Sequence, residues 1–482
     1  MPSTPLNVLL LVIDDLRPEL ASYGFPTVTP HLDAFASSAL TFTRAYVQYS
    51  HCSPSRNSFL SGRSPQTTGV YNFIDHFRLP NVGANWTALP QYFKQAGHQS
   101  LGGGKVYHPE HPPHDDMPKS WDAYFKPNGD DEGCANTTQL YNNVCPSDKP
   151  NVSFYDGDLA AKTATQISQA RTPWFIAAGL RRPHRPWHVP RWAYALYANN
   201  GTDPLDIPVA KHKTGPKGMP ELAYIHNVWP EGVDYDQDHP IPDRHAKQGR
   251  WGYYAATSFT DANVGMILGA VDDAGLRPTT VVALLGDHGW QLGEHGEWCK
   301  RTNFELGVRI PLLIRSPAHP ASAGRRTDAL VEALDLYRTL SALSFGDAAP
   351  PIEAGVEGAD LSGLFASANA EPPHTHVFSQ MARCPAAGTL GPESPCNSVP
   401  LVEIPYMGYS VRDDRWRYTV WLKFNGTKNR ADWAAAPLGV ELYDHEGDDG
   451  TDADAFENVN VVDDHDDVRR ELFEVLRRKF DD

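Results

Sequence analysis

Short apolar runs alternate with stretches of helical periodicity over the first two thirds of the chain. The runs predict buried parallel strands at residues 8–13, 174–178, 281–286 and 312–315. Apolar positions spaced three and four apart predict covering helices at residues 30–38, 158–170, 253–274 and 331–343. This alternation is typical of a doubly wound α/β sheet with helices on both faces, in which ligands bind at the carboxyl ends of the strands.

The pattern changes after residues 366–373, a stretch rich in Ala and Pro without periodicity. Beyond it, residues 409–411 and 418–424 alternate as antiparallel strands do, and residues 467–480 predict a final helix. We therefore predict a larger α/β domain over residues 1–368 and a smaller C-terminal α+β domain, containing an antiparallel sheet, over residues 374–482.

Composition and charge narrow the class of ligand. The chain has 482 residues, 41% of them hydrophobic, which is ample for a large core. Its formal net charge of −17 creates no attraction for nucleic acid or for an anionic membrane surface. An anionic substrate would have to be bound by cationic side chains gathered locally. The Pro-rich residues 183–191 and 215–242 cannot form regular elements and predict binding loops over the sheet edge.

No targeting segment is visible at the start of the chain. The apolar run at residues 8–13 is far too short to span a bilayer and ends in two aspartates, unlike a cleavable signal. Either the protein is cytoplasmic, or the chain begins after a removed signal.

The cysteines favour the second alternative. Cys134 and Cys145 share a loop rich in Asn and Asp, and Cys384 and Cys396 share one rich in Pro and Gly. Neither pair has metal-ligand spacing, so short-loop disulfides of an oxidising compartment are favoured over four reduced thiols. Five N-x-[ST] sequons fit a secretory route, although such tripeptides also arise by chance. They begin at Asn85, Asn136, Asn151, Asn200 and Asn425.

A cysteine, a proline and an arginine stand at alternate positions in Cys52-Ser53-Pro54-Ser55-Arg56, followed by Leu60, Gly62 and Arg63. An isolated cysteine would be a small buried core residue. This pattern, however, resembles the signature of the formylglycine-dependent sulfatase family. Residues 97–108 resemble its second signature, with His98 where an aromatic residue is more usual. Their glycines do not form a P-loop, because Lys105 is not followed by Ser or Thr.

The resemblance implies an alkaline-phosphatase-like fold and a sulfuric ester hydrolase. Its nucleophile would be formylglycine, made from Cys52 by the formylglycine-generating enzyme. The likeness sharpens toward the branch of the family that acts on 2-O-sulfated iduronate, at residues 182–186, 289–298, 407–410 and 417–421. The implied substrate is a sulfated saccharide, the 2-O-sulfate of a terminal uronate in glycosaminoglycan or a related polysaccharide, and the implied location is secreted or lysosomal. The branch has a disulfide at Cys134 and Cys145, whereas Cys299, Cys384 and Cys396 have no counterpart.

Acidic residues follow two of the predicted strands. Asp14 and Asp15 end the first strand, and Asp287 and His288 end a later one. A single Asp there would cap a helix or turn, but two pairs at strand ends can converge on one cation, and carboxylates suit Ca²⁺ or Mg²⁺. His288 is an unusual Ca²⁺ ligand and alternatively hydrogen-bonds the nucleophile, while the surplus carboxylates argue against zinc. Together with Cys52, these residues form the predicted metal site.

The family resemblance also implies a role for each remaining site residue. Hydrated formylglycine offers two hydroxyls: one attacks sulfur in line, and the other expels sulfate from the covalent intermediate. Lys105 and Lys300 would neutralise the sulfate oxygens, and Arg56 would orient the hydrated aldehyde. His184 would protonate the leaving alkoxide, and His108 would hydrogen-bond the formylglycine hydroxyl. Taken singly, such lysines are more often surface charges, and either histidine could be structural. Substrate contacts are implied for Lys105, His184, Arg185, Trp290 and Lys300.

One local feature supports an anionic substrate without the resemblance. Six basic residues fall within eleven positions directly after a predicted strand: Arg181, Arg182, His184, Arg185, His188 and Arg191. Such a run is usually solvated surface, but its place at a strand exit beside the predicted metal site favours capture of sulfate or carboxylate groups. No nucleic acid or membrane partner is expected, and the oligomeric state is not predicted.

A sulfatase of another sulfated polysaccharide stays an alternative within the family. Two rival functions outside it remain, a phosphate or phosphonate ester hydrolase on the same scaffold and a catalytically inactive binding protein. The intact pattern from Cys52 to Arg63 disfavours the first. The complete set of predicted metal ligands with both lysines disfavours the second.

Overall fold

A central sheet of eight strands dominates the chain. The computed structural model describes residues 4–129, 144–199, 203–204, 207–225, 233, 235–385 and 396–481. In spatial order the strands are Arg326–Glu332, Leu40–Tyr46, Arg309–Arg315, Thr280–Gly286, Asn7–Ile13, Trp174–Leu180, Gln99–Gly104 and Ala123–Phe125. Neighbours pair in parallel except at Arg309–Arg315, which is antiparallel to both of its neighbours.

Hydrophobic cores lie on both faces of this sheet. Successive residues of Asn7–Ile13 enter one core or the other, with Val8, Leu10 and Val12 in the first and Leu9, Leu11 and Ile13 in the second. Because side chains alternate across a strand, a strand that is buried on both faces is apolar throughout. The main covering helices are Pro30–Ala36, Cys52–Ser61, Leu89–Gln95, Tyr155–Gln169, Asp243–Asp273 and Leu336–Phe345. The predicted doubly wound α/β fold is confirmed.

A second, antiparallel sheet follows in the C-terminal part of the chain. Its strands are Val377–Arg383, Tyr406–Arg412, Trp416–Asn425, Arg430–Ala431 and Gly439–Asp444. The helix Asp466–Phe480 packs Leu472, Leu476 and Phe480 into the core of this sheet, which Tyr49 and Tyr71 of the larger part also enter. The domain division at residues 368–374 falls between the helix Ser362–Ala366 and the first strand of this sheet, and it stays a prediction.

Short elements decorate the loops between these layers. The short helices are Pro65–Thr68, Arg191–Ala195, Glu305–Val308 and Ser362–Ala366. The short strands pair as Val144–Ser147 with Trp187–Pro190, Ala198–Asn199 with Asp203–Pro204, and Gln291–Leu292 with Trp298–Cys299.

The structure corrects three of the predicted elements. Arg309–Arg315 is antiparallel rather than parallel, since a buried strand is equally apolar in either direction. The helix predicted at residues 331–343 begins only at Leu336, because residues 331–332 end the strand Arg326–Glu332, which pairs with Leu40–Tyr46, and Ala333–Asp335 form a 3-10 turn. Residues 183–191, predicted to lack regular structure, contain the short strand Trp187–Pro190.

The disulfide predicted between Cys384 and Cys396 is confirmed, with an S–S distance of 2.09 Å. The pairing predicted for Cys134 lies outside the described residues. Cys52 and Cys299 are buried free thiols. None of the helices in the described part of the chain is both long and apolar enough to cross a membrane.

Candidate active site

The carboxyl ends of neighbouring parallel strands bring the predicted site residues together. Ile13 pairs with Gly286 on one side and with Leu180 on the other, and Gly104 pairs with Gly179 in the next strand. The residues that follow these pairs therefore emerge side by side at one edge of the sheet. They are Asp14, Asp287, Arg181 and Lys105.

Cys52 faces this edge from the start of a buried helix. It is the first residue of Cys52–Ser61 and is only 2% exposed. Its Sγ lies 3.2 Å from Lys300 Nζ, 3.4 Å from His288 Nε2 and 3.7 Å from Lys105 Nζ. The start of a helix presents unpaired N–H groups and the positive end of the helix dipole. An anion beside Cys52 would therefore meet the field of the helix together with two lysine charges.

The thiol of Cys52 is itself poorly suited to nucleophilic attack. Burial raises its pKa above the ordinary value, and the charge of Asp14 raises it further, although Lys105 and Lys300 act in the opposite direction. The thiolate, not the thiol, is the reactive form. The unmodified residue would therefore be almost wholly protonated at neutral pH.

The later residues of the Cys52 pattern hold the helix in place. Gly62 ends it with a φ of +67°, and a Cβ at that position would lie 2.9 Å from the Val356 side chain. Arg63 forms an ion pair of 2.6 Å with Glu353 and stacks on the ring of Trp86 at 4.1 Å. These positions support the site without contacting Cys52.

The predicted metal ligands form one buried cluster. Donor atoms of Asp14, Asp15, Cys52 and His288 all lie within 4.8 Å of one another, and His288 Nε2 is 3.5 Å from an oxygen of Asp287. Within the described part of the chain, Oδ2 of Asp15 is buried without a hydrogen-bond partner. Such an atom is costly unless something pairs with it. A set of carboxylates with one open oxygen fits a hard divalent cation.

His288 is oriented toward this cluster by its backbone contact. Its Nδ1 lies 3.0 Å from the carbonyl oxygen of Gly289, so Nδ1 carries the proton and Nε2 offers a lone pair. Histidines that bind metals are commonly oriented by such a bond from the other ring nitrogen. Burial lowers the pKa of His288 well below its ordinary value, as does the charge of Lys300, which keeps the ring neutral.

The three carboxylates differ in their pKa values. Burial raises the pKa of Asp15 to about 6, against the charge of Lys300, and raises that of Asp287 to about 7, against the charge of Arg56. Burial also acts to raise the pKa of Asp14, but Lys105, His184 and Arg56 together hold it well below its usual range. A bound cation would favour the charged form of all three.

Arg56 bridges the two acidic strand ends. Its Nε lies 2.9 Å from Asp287 Oδ2 and its second terminal nitrogen 3.4 Å from Asp14 Oδ1. The remaining terminal nitrogen donates to the carbonyl oxygens of Lys105 and Val106. None of these described hydrogen bonds reaches Cys52. Orientation of the hydrated aldehyde by Arg56 therefore stays a prediction.

Lys105 and Lys300 place two fixed positive charges beside Cys52. Lys105 forms an ion pair with Asp14, and Lys300 forms one with Asp15. Burial acts to lower the pKa of both lysines, but the neighbouring carboxylates outweigh it and raise the pKa above the ordinary value. Both side chains are therefore ammonium ions that are able to pair with sulfate oxygens.

The two remaining histidines differ in their surroundings. His184 Nδ1 lies 2.5 Å from the carbonyl oxygen of Arg185, which leaves Nε2 available to a substrate. The pKa of His184 is lowered well below its ordinary value by burial, although the charge of Asp14 acts to raise it. His108 is buried, and among the described residues its Nδ1 has no hydrogen-bond partner. A bond from His108 to the formylglycine hydroxyl stays a prediction.

Trp290 lies between Lys300 and Arg185 of the basic loop. Trp290 is only 2% exposed. Its ring centroid lies 5.3 Å from Lys300 Nζ and 5.8 Å from Arg185 Cζ. Cations at these distances are attracted by the electron-rich face of indole. The predicted substrate contacts at Arg185 and Trp290 thus lie next to a predicted catalytic lysine.

Sequence patterns did not reveal one residue that orders the metal cluster. The hydroxyl of Tyr253 donates to the carbonyl oxygen of Asp15 at 2.8 Å and accepts from the backbone N–H of Arg17 at 3.0 Å. Asp15 has a φ of +61°, in the left-handed region that non-glycine residues rarely adopt. Tyr253 lies in the middle of a long helix, 238 residues from Asp15, and nothing in its local pattern marks it.

Comparisons with known proteins show which family the chain belongs to. The family model described as "Sulfatase" matches residues 6–346. Iduronate 2-sulfatase of Mus musculus is 33% identical, with 95% of this chain and 91% of the relative covered. Iduronate 2-sulfatase of Homo sapiens is also 33% identical, with 98% and 93% covered.

Solved structures show the same fold at lower identity. A 2-O GAG sulfatase superposes with a TM-score of 0.72 at 20% identity, covering 98% of this chain and 92% of the other. A phosphonate monoester hydrolase from Silicibacter pomeroyi also superposes with a TM-score of 0.72 at 20% identity, covering 98% and 95%.

The chain belongs to the sulfatase family and is a sulfuric ester hydrolase. Within that family it is similar to iduronate 2-sulfatases over nearly its whole length.

Proposed function

We propose that this sulfatase hydrolyses the 2-O-sulfate of a terminal uronate in glycosaminoglycan or a related polysaccharide. The observation that carries the proposal is the concentration of cations around Cys52 in a chain whose net charge is −17. Two buried lysines approach the thiol, and Arg185 stands beyond Trp290. The 33% identical relatives are iduronate 2-sulfatases, which supports the same substrate. In this proposal the lysines pair with sulfate and Arg185 with the uronate carboxylate.

The chain's own residues would divide the reaction between them. Lys105 and Lys300 would bind the sulfate oxygens and hold sulfur in line with position 52. In doing so they would exchange their ion pairs with Asp14 and Asp15 for ion pairs with the substrate. His184 would hold a proton on Nε2 and transfer it to the leaving sugar oxygen. Nε2 is the nitrogen that would act, because Nδ1 is already bonded to the Arg185 carbonyl. Burial keeps this ring neutral in the free enzyme. The negative charge of the bound substrate would raise the pKa of His184, so that Nε2 takes up the proton it transfers.

Formylglycine at position 52 would supply a hydrated aldehyde, which is a better nucleophile than the protonated thiol. The formylglycine-generating enzyme is the proposed partner for that conversion. Cys52 is followed by the proline and arginine of the family signature, and it is buried in the folded chain. Conversion would therefore have to precede folding around the helix Cys52–Ser61.

Asp14, Asp15, Asp287, His288 and residue 52 would hold the cation, for which we propose Ca²⁺, with Mg²⁺ as the alternative. When bound, such an ion neutralises charge that develops on sulfate oxygens and acidifies a hydroxyl next to it. Three carboxylates favour a hard ion over zinc. The disulfide between Cys384 and Cys396 supports an extracytoplasmic location, secreted or lysosomal.

The substrate assignment is tested by comparing turnover of a 2-O-sulfated uronate disaccharide with that of the same disaccharide reduced at the uronate carboxyl. We expect wild-type enzyme to prefer the carboxylate form, and Arg185→Ala to lose most of that preference through KM. Arg191→Ala is the matched control, because Arg191 is paired with Asp148 at 2.7 Å on the exposed surface. Equal turnover of the two disaccharides by the wild type would remove the uronate assignment.

A phosphonate monoester on the same scaffold is the second candidate, since a phosphonate monoester hydrolase shares the fold. An aryl phosphonate monoester included in the same assay distinguishes the two. Faster turnover of that compound than of any sulfate ester would transfer the proposal to phosphonates.

A further inference from the structure

A second cluster of metal-binding side chains lies beside the reaction site. His108, Glu110 and His111 offer donor atoms that all lie within 4.8 Å of one another. All three belong to the segment His108-Pro109-Glu110-His111, three to six residues beyond Lys105. The proposed reaction uses only the first of them, so Glu110 and His111 have no role assigned.

One donor atom of this cluster is buried and unpaired. His108 is 9% exposed, and its Nδ1 has no hydrogen-bond partner among the described residues. The ring of His108 lies 4.5 Å from the ring of His111, measured between centroids. An imidazole nitrogen that is kept from water without a partner loses free energy unless a ligand pairs with it.

The surroundings of His111 resemble those of a metal-binding histidine. Its ring is hydrogen-bonded to the backbone of Phe73 and stacks on the Phe73 ring, with 4.6 Å between centroids and 15° between planes. A bond from one ring nitrogen to a backbone group orients the other nitrogen for coordination. The ring of Phe73 also packs against His108 at 5.3 Å, so one aromatic side chain positions both imidazoles.

Glu110 can complete the set by a small movement. Its side chain is 68% exposed and forms an ion pair of 3.3 Å with Arg181. Tetrahedral ligands at the usual zinc distances of about 2.0–2.1 Å lie roughly 3.4 Å from one another, and the donor atoms of this cluster lie within 4.8 Å of one another. An exposed glutamate can adjust its position to a bound ion, and its second oxygen can keep the contact with Arg181.

The other described cluster outside the reaction site contrasts with this one. Glu305, His445 and Glu457 are also close together and buried, but the Arg417 guanidinium lies 2.5 Å from Glu305 and 2.6 Å from Glu457. Its charge already satisfies the carboxylates, so this second cluster is an internal ion-pair network. In the cluster of His108, Glu110 and His111, the ion pair with Arg181 involves only the exposed Glu110.

We propose that His108, Glu110 and His111 form a site for a borderline divalent cation such as Zn²⁺, and that a cation bound there inhibits the enzyme. This site is distinct from the carboxylate cluster that would hold Ca²⁺. Two imidazoles and one carboxylate select zinc over calcium, because Ca²⁺ takes six to eight oxygen ligands. The inhibitory half of the proposal rests on the proposed role of His108 in the reaction. An imidazole nitrogen that coordinates Zn²⁺ is not available to a substrate.

The binding half is tested without turnover, by titrating the calcium-saturated enzyme with Co²⁺, whose visible absorption reports a site of low coordination number. We expect absorption bands in the wild type that Zn²⁺ displaces, and their loss in His111→Ala and in Glu110→Ala. His114→Ala is the matched control, because His114 is an exposed histidine of the same loop that bonds the Pro109 carbonyl at 3.2 Å. Co²⁺ bands that are undiminished in His111→Ala would overturn the site.

The inhibitory half is tested by turnover at saturating Ca²⁺ with increasing Zn²⁺. Without zinc, His111→Ala and Glu110→Ala should turn over like the wild type, because neither residue belongs to the reaction site. With zinc, both should need about tenfold more Zn²⁺ or a still higher concentration for half inhibition, while His114→Ala behaves as the wild type. Equal inhibition of wild type and His111→Ala would place the inhibitory ion elsewhere and overturn this half. The assay uses an aryl sulfate as substrate, so its outcome does not depend on whether the enzyme is specific for uronates.

Discussion

His184 and Lys300 stand close to the same substrate but would assist different bonds. His184 would donate a proton to the leaving oxygen, whereas Lys300, 3.2 Å from Cys52 Sγ, would pair with the sulfate that every substrate carries. A phenoxide leaves without protonation, while a sugar alkoxide requires it. The two residues can therefore be separated by the leaving group.

We predict that His184→Ala lowers kcat on the uronate 2-O-sulfate by about 10²–10⁴-fold but lowers it far less on an aryl sulfate. Lys300→Ala should lower turnover of both by about 10²–10³-fold, as loss of a charge-stabilising donor does. Steady-state kinetics on the two substrates is the measurement. Equal losses for His184→Ala on both substrates would exclude it as the acid.

A second residue-level prediction concerns Cys52. In active enzyme from its native host, the peptide that contains Cys52 should have lost its thiol and gained an aldehyde, as measured by mass spectrometry with and without a carbonyl reagent. The matched control is Cys299, also a buried free thiol, which should remain a cysteine. Active protein with an unmodified Cys52 would contradict the proposed nucleophile.

At the scale of elements, the long helix Asp243–Asp273 reaches the metal cluster through a single hydroxyl. Tyr253 bonds the backbone on both sides of Leu16, at the Asp15 carbonyl and the Arg17 N–H. The backbone of Asp15 is left-handed, and such a conformation persists only when its surroundings enforce it. The helix thereby holds the strand end in the shape that directs Asp15 toward the cation.

We predict that Tyr253→Phe weakens the apparent Ca²⁺ affinity about fivefold, the equivalent of about 1 kcal/mol for a lost buried hydrogen bond. The measurement is turnover against Ca²⁺ concentration after chelation, and kcat at saturating Ca²⁺ should be largely retained.

Tyr254→Phe is the matched control for this substitution. Tyr254 is a buried tyrosine of the same helix, and its hydroxyl bonds Glu19 rather than the strand end. A loss of kcat without a change in Ca²⁺ dependence for Tyr253→Phe would show that the hydroxyl does not position Asp15.

At the scale of the whole molecule, the cluster of buried carboxylates links cation binding to folding. The pKa of Asp15 is raised to about 6 and that of Asp287 to about 7, chiefly by burial. Both values exceed those of the unfolded chain, so without a cation these two groups favour the folded state at low pH. That contribution is lost as the pH rises through about 6 and 7. A bound cation offsets this loss of stability, because it pairs with the ionised carboxylates.

We predict that chelation lowers the melting temperature and abolishes turnover, and that Ca²⁺ or Mg²⁺ restores both. A cation at a hundredfold excess over its Kd stabilises the fold by about 2.7 kcal/mol. The difference in melting temperature between the calcium-loaded and chelated protein should be larger at pH 8 than at pH 5. A difference that shrinks as pH rises, or restoration of turnover by Zn²⁺ alone, would show that carboxylates do not dominate this site.

Much of the fold and of the site could be predicted because both are encoded in short stretches of the sequence. The strands at Asn7–Ile13 and Thr280–Gly286 are buried throughout and mostly apolar, and each is followed by an aspartate. The pattern from Cys52 to Arg63 gathers a nucleophile, a helix start and a helix end within twelve residues. The direction of a strand could not be predicted, since Arg309–Arg315 is buried throughout, like the parallel strand Asn7–Ile13.

The sequence by itself therefore determined the fold class, the family and the residue types that gather at the strand ends, because each depends on short-range pattern. Only the tertiary structure decided which groups touch. It pairs Arg56 with Asp14 and Asp287, places Tyr253 against Asp15, and brings Phe73 against His108 and His111. These contacts join segments far apart in the chain, and a hydrogen bond or ring contact depends on atomic position rather than on order along the sequence.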